Sequence, residues 1–199
     1  MNRLKLVNAI AEAVIPIMGL LFFDWGIYFI LLFYFIDLVA TEMFVYIKVA
    51  KIIDFQKIKF PFNTRYGRLL MNTFLMISLV FVSHLAVFLI VPEINFLHQV
   101  NEFLSYEEAG LPIAQGYILL PLVILGNYQQ YNTLFVKTKQ FQRISWKVLI
   151  FSRRKALYIA LIGGVAAIII GYFTNLPAFV YIAGVIAVKF YIDLYQTNH

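Results

Sequence analysis

Residues 25–51 read WGIYFILLFYFIDLVATEMFVYIKVAK, and the reading of this stretch decides the fold. It is apolar and longer than the ~20 residues a helix needs to cross a bilayer. It nevertheless carries Asp37, Glu42 and Lys48. A charge at the centre of a lipid-embedded helix costs about 3 kcal/mol on insertion scales, so such groups face a partner or a water-filled cavity. The stretch is therefore expected to be a membrane span with one polar face turned inward.

The rest of the chain has the same character. Of 199 residues, 62% are hydrophobic and 13% charged, against about 45–50% and ~25% in soluble domains. The length suits one helical bundle, a single transmembrane domain over 1–199. With no cysteine, disulfides and thiolate metal sites are excluded. The net charge of +6 does not indicate nucleic acid, because the basic residues lie in short segments between apolar runs, the pattern of membrane orientation. The N-terminus has the basic start and apolar run of a signal peptide. Glu12 and Pro16 interrupt that run, and no small-x-small cleavage site precedes Asp24, so it is read as a retained first helix.

An all-α, polytopic transmembrane bundle follows, with six spans at about 6–23, 27–52, 69–91, 111–135, 156–173 and 178–196. Short turns at Asp24-Trp25-Gly26 and Thr174–Pro177 suit antiparallel helix hairpins. The Lys and Arg outside the spans all fall on one side of this drawing: Arg3 and Lys5, the segment 51–68, and the segment 137–155. The turn at 24, the loop 92–110 and the turn at 174–177 contain none, and the loop carries Glu93, Glu102, Glu107 and Glu108 instead. Positively charged loops are retained in the cytoplasm. Both termini are thus expected to be cytoplasmic, in the cell (inner) membrane. Aromatic residues near the span ends, among them Trp25, Tyr28, Tyr128 and Tyr172, read as interfacial belts. Gly163, Gly164, Ala167 and Gly171 form a small-residue patch for close helix packing. The segment 137–155 has seven basic residues, Trp146 and the apolar run Val148–Phe151. It reads as a topology-setting loop, with an amphipathic segment on an anionic leaflet as the alternative.

Helix rise places Asp37 near mid-bilayer, Glu42 deeper, and Lys48 near the cytoplasmic surface. Tyr34, Asp37, Thr41 and Lys48 share one stripe, and Glu42 lies off it. In the last span Lys189 and Asp193 are four apart and stacked. Two crossed pairs are expected, Lys189 with Asp37 or Glu42 and Asp193 with Lys48. Glu12, Asp37, Glu42 and Asp193 then stand against Lys48 and Lys189, which leaves two carboxylates to be protonated, hydrated or matched by a bound cation. His84 reads as a helix–helix hydrogen bond before a ligand. Asn127, in the polar run 127–132, reads as a vestibule residue or as the point where the fourth span leaves lipid.

Chemistry elsewhere is sparse. There is no G-x-x-x-x-G-K-[ST] and no H-E-x-x-H. His84, His98 and His199 are too scattered for a zinc site, and Ser78 and Ser83 share a helix with His84, the wrong geometry for a nucleophile and its base. No catalytic residue, cofactor or metal is assigned.

Asn8, Pro16-x-x-Gly19, Trp25, Tyr34-Phe35-x-Asp37 and Lys48 resemble the first hairpin of a family of uncharacterised six-helix prokaryotic membrane proteins. That family's last helix ends in a lysine, an aspartate four residues on and a nearby histidine. Lys189 and Asp193 match it, whereas Gln196 stands at the histidine position and His199 follows three residues later. The resemblance implies six helices with a polar site shared between the two ends of the chain, and no activity. The expected function is translocation of a cation, proton or small polar solute. Alternatives are an accessory subunit of a membrane complex, and an enzyme on a lipid-like substrate with a polar cavity near Glu42. Expected partners are the bilayer and the solute, with homo- or hetero-oligomers open.

Overall fold

The computed structural model describes residues 3–23, 25–59, 62–105, 115–174 and 176–196, and their side chains except at 3–9, 11, 62–66, 115, 116, 195 and 196. Asp24, Glu107, Glu108, Asn175 and His199 lie outside the described residues, as do the side chains of Arg3, Lys5, Asn8 and Gln196. Every regular element among the described residues is helical: α1 Arg3–Phe22, α2 Ile27–Gln56, α3 Phe62–Ile90, α4 Phe96–Ser105, α5 Gln115–Gln130, a π-helical turn Tyr131–Val136, α6 Gln140–Arg143, α7 Trp146–Phe173 and α8 Ala178–Gln196.

α2 is the axis of the bundle and touches α3, α4, α5, α6, α7 and α8, while α1 lies against α8 and α3 against α7. Its 30 residues extend about 45 Å, more than the ~30 Å of hydrocarbon in a bilayer. Its far end ties down the following chain, where Gln56 Nε2 donates to the carbonyls of Phe141 and Ile144, both at 3.3 Å. The buried side of α2 divides into two apolar clusters. Ile27, Tyr28, Phe29 and Phe33 join Val87, Phe103, Ile182 and Ile186 toward one end. Val45, Val49 and Ile52 join Leu69, Phe135, Trp146 and Ile150 toward the other. Asp37 and Glu42, both buried, occupy the layer between them.

Three described helices are long and apolar enough to cross a membrane: Ile27–Gln56, Gly67–Ile90 and Trp146–Phe173. Their outer faces are apolar, as at Phe74, Phe81 and Ile162, each more than 60% exposed. Exposed apolar side chains of this kind are compatible with a membrane surrounding.

The structure redraws two segments. Residues 146–155 are not a loop but the opening turns of α7. Trp146, Ile150, Arg153 and Leu157, spaced three or four apart, are buried on one face, and helical burial of that stripe outweighs the charge of its neighbours. The 92–110 loop contains α4, anchored by Phe103 edge-on to Phe29 with centroids 4.7 Å apart. Two belt aromatics also turn inward. Trp25 packs over Gly19, where any Cβ would overlap its ring, and Tyr28 is buried against His84. The small-residue patch serves two contacts: Gly164 meets Val82 of α3, and Gly163 meets Val188 of α8.

Candidate functional site

Four helices bring their polar residues to one point. Lys189 Nζ of α8 lies 2.8 Å from Glu12 Oε2 of α1, 3.2 Å from Asp37 Oδ2 of α2 and 2.7 Å from Asp193 Oδ2 one turn along its own helix. From α5, Asn127 Nδ2 donates to Asp37 Oδ1 at 3.0 Å, and Gln130 Nε2 donates to Glu12 Oε1 at 3.2 Å. Thr41 Oγ1, a turn beyond Asp37, donates to Asn127 Oδ1 at 3.1 Å. Pro16, inside α1, cannot supply the N–H that would close on the Glu12 carbonyl, which opens the helix backbone beside the site.

Three carboxylates around one ammonium leave an excess of two negative charges when all are ionised. In low dielectric that excess is costly unless a proton or a second cation offsets it. Tyr34, 7% exposed, holds its hydroxyl buried and without a hydrogen-bond partner among the described residues. That hydroxyl is within electrostatic reach of Lys189, Asp193, Glu12 and Asp37. The carboxylates give no three-ligand grouping suited to a metal ion among the described residues.

The cluster opens on a cavity of about 660 Å³, within the size range of small-molecule sites. Its walls run from Ile27, Ile90 and Leu176 at one end to Lys48, Gln140 and Ile144 at the other. From Ile27 to Lys48 along α2 is about 30 Å, comparable with the hydrocarbon thickness.

The expected crossed pairs are rearranged. Lys189 takes Asp37 and Asp193 together, and Glu12 besides. Lys48 lines the cavity. Glu42 points elsewhere, its Oε2 3.0 Å from Arg153 Nε, and it is not part of the cavity wall. Its partner Arg153 does line the cavity. Arg153 Nη2 also donates to the Leu38 carbonyl at 3.0 Å. Sequence reasoning had placed Arg153 in a loop; its signal was the 146, 150, 153, 157 spacing. With Arg153 included, four inner carboxylates face three cations.

His84 stands apart from the cluster. Its Nε2 is 2.8 Å from the Tyr28 hydroxyl, its Nδ1 is 2.7 Å from the Val80 carbonyl, and its ring stacks on Phe35. Asn127, by contrast, belongs to the site, because it bridges Asp37 and Thr41. The π-helical turn follows α5 at once and seats Phe135 in the apolar cluster next to Trp146. Such turns often mark functional positions.

No protein-family model, no curated protein and no solved structure matches the chain.

Proposed function

We propose that this is a multi-pass membrane protein of the cell (inner) membrane that moves a cation, proton or small polar solute through the Lys189 centre. The observation that carries the reading is the set of three carboxylates held by one lysine in the wall of a cavity about as long as a bilayer is thick. An arriving cation competes with Lys189 for Asp37. The displaced ammonium keeps Glu12 and Asp193, and the bound cation lowers the excess of negative charge from two to one.

Six crossings, with both termini and the basic segments in the cytoplasm, complete the proposal. α1 and α8, with 20 and 19 residues, each reach about 30 Å, and α5 with its π turn is of similar length. The buried Glu42–Arg153 pair favours a second, structural role for that side of the bundle, as in an accessory subunit of a complex.

The test is cation and proton flux in proteoliposomes. The Asp37→Asn and Lys189→Met proteins lose transport while remaining folded. Flux unchanged in both rules the proposal out.

A further inference from the structure

The cavity is polar from the Lys189 cluster toward Lys48 and Gln140, and largely apolar on the other side of Tyr34. Outward from Tyr34, its walls are formed by residues such as Ile27, Leu31, Val87, Ile90 and Val180, and the polar groups there are reduced to Ser83 and Tyr181. A bare small cation leaving the carboxylates in that direction meets no further side-chain ligands but the Ser83 and Tyr181 hydroxyls. An ammonium on an apolar chain fits better: its head meets the carboxylates and its chain lies along the apolar walls.

We propose that the cavity binds a single-chain cationic amphiphile, a protonated primary amine on an alkyl chain, with its head between Tyr34, Asp37 and Glu12. This rests on the reading of the Lys189 cluster as a cation site and names the substrate class for it. Three observations converge. The carboxylates outnumber the ammonium that holds them. The buried hydroxyl of Tyr34, a residue of the cavity wall, is unpartnered among the described residues and is an acceptor for an ammonium N–H. The volume of about 660 Å³ exceeds the needs of an ion and suits a chain. A phosphate-bearing amino lipid is disfavoured, because its anion would sit against the same carboxylates.

Gly184 allows the chain arm to be altered apart from the head site. It lies in the cavity wall, and a Cβ there has nothing within 4 Å, so a larger side chain enters open space.

The experiment is ligand titration of the full chain in neutral detergent, read by native mass spectrometry and thermal shift, with dodecylamine, dodecanol, butylamine and a short-chain phosphatidylethanolamine. Dodecylamine binds saturably and about tenfold or more tighter than dodecanol or butylamine, the scale of a lost charge-assisted hydrogen bond or a lost apolar chain. Tyr34→Phe, which preserves the ring, weakens dodecylamine, and Gly184→Leu weakens dodecylamine more than butylamine. Equal binding of dodecanol overturns the proposal in favour of an unspecific apolar hollow. Equal binding of butylamine, or tighter binding of the phospholipid, overturns it as well. Small-cation flux without saturable dodecylamine binding defeats this inference alone; dodecylamine binding without any Asp37-dependent flux defeats the transport reading alone.

Discussion

Arg153 Nε stands 3.0 Å from Glu42 Oε2 with both side chains buried, so an ion pair joins α7 to α2, with Arg153 in the cavity wall and Glu42 behind it. It differs in kind from the Lys189 cluster. One cation meets one carboxylate, and the remaining guanidinium capacity goes to a backbone carbonyl. Glu42 is locally balanced, while the Lys189 carboxylates are in excess.

Removing one member of a buried pair strands the other charge. Arg153→Met is expected to cost about 3–5 kcal/mol of stability, read from denaturant or thermal unfolding in detergent. Glu42→Met with Arg153→Met together returns most of it, because apolar replacement of a buried pair is close to neutral. Additive losses in the double variant would contradict the pairing.

The α3–α7 seam gives a steric prediction. A Cβ on Gly164 would stand 2.9 Å from Val82 Cγ1, whereas one on Gly163 meets Val188 at an ordinary 3.4 Å. Gly164→Ala is expected to destabilise by about 1–3 kcal/mol through overpacking, and Val82→Ala in the same chain relieves it. Gly163→Ala has little effect. Melting temperatures of the four proteins decide the matter.

Asn127 bridges Asp37 and Thr41 through opposite ends of one amide. Asn127→Leu keeps the approximate volume and removes both bonds, at a cost of about 1–3 kcal/mol for the buried groups left unmade. Transport is expected to fall with it, and Asn127→Asp, which adds a fourth carboxylate beside Asp37, is expected to be worse for folding. Flux assays alongside unfolding curves separate the two effects.

Much of this was legible in the residues themselves. The spacing of Tyr34, Asp37 and Thr41 put one polar face on α2, and the four-residue step from Lys189 to Asp193 put two charges on one face of α8. Helix depth then brought Lys189 level with the acids. Arg153 escaped because its sequence neighbours, Arg154 and Lys155, are basic. A local charge count reads such a stretch as loop, while burial follows a three-to-four-residue stripe that charge does not erase. The role of Asn127 was hidden for a related reason. A polar run at a helix end looks the same whether it meets water or a buried carboxylate, and only the packing of α5 on α2 distinguishes them. The division of labour between Lys189 and Arg153 depends on rotation of α2 by a fraction of a turn, which periodicity does not resolve.

The absence of cysteine makes orientation accessible to single-cysteine labelling. With Lys139→Cys and Glu102→Cys, both at exposed positions, a membrane-impermeant maleimide applied to intact cells is expected to label the second and spare the first. The reverse pattern would invert the proposed topology, and equal labelling would remove the basis for it.

The central claim is that the Lys189 cluster is a cation site and not merely glue between helices. The double variant Asp37→Asn/Lys189→Met tests it most directly, since removing one acid and one base together leaves the net charge of the cluster unchanged, with Glu12 and Asp193 as its remaining acids. The measurement is proteoliposome flux of this protein beside its thermal unfolding. The account predicts stability above that of Lys189→Met alone, with flux lost. Flux equal to the parent in a stably folded double variant would contradict it.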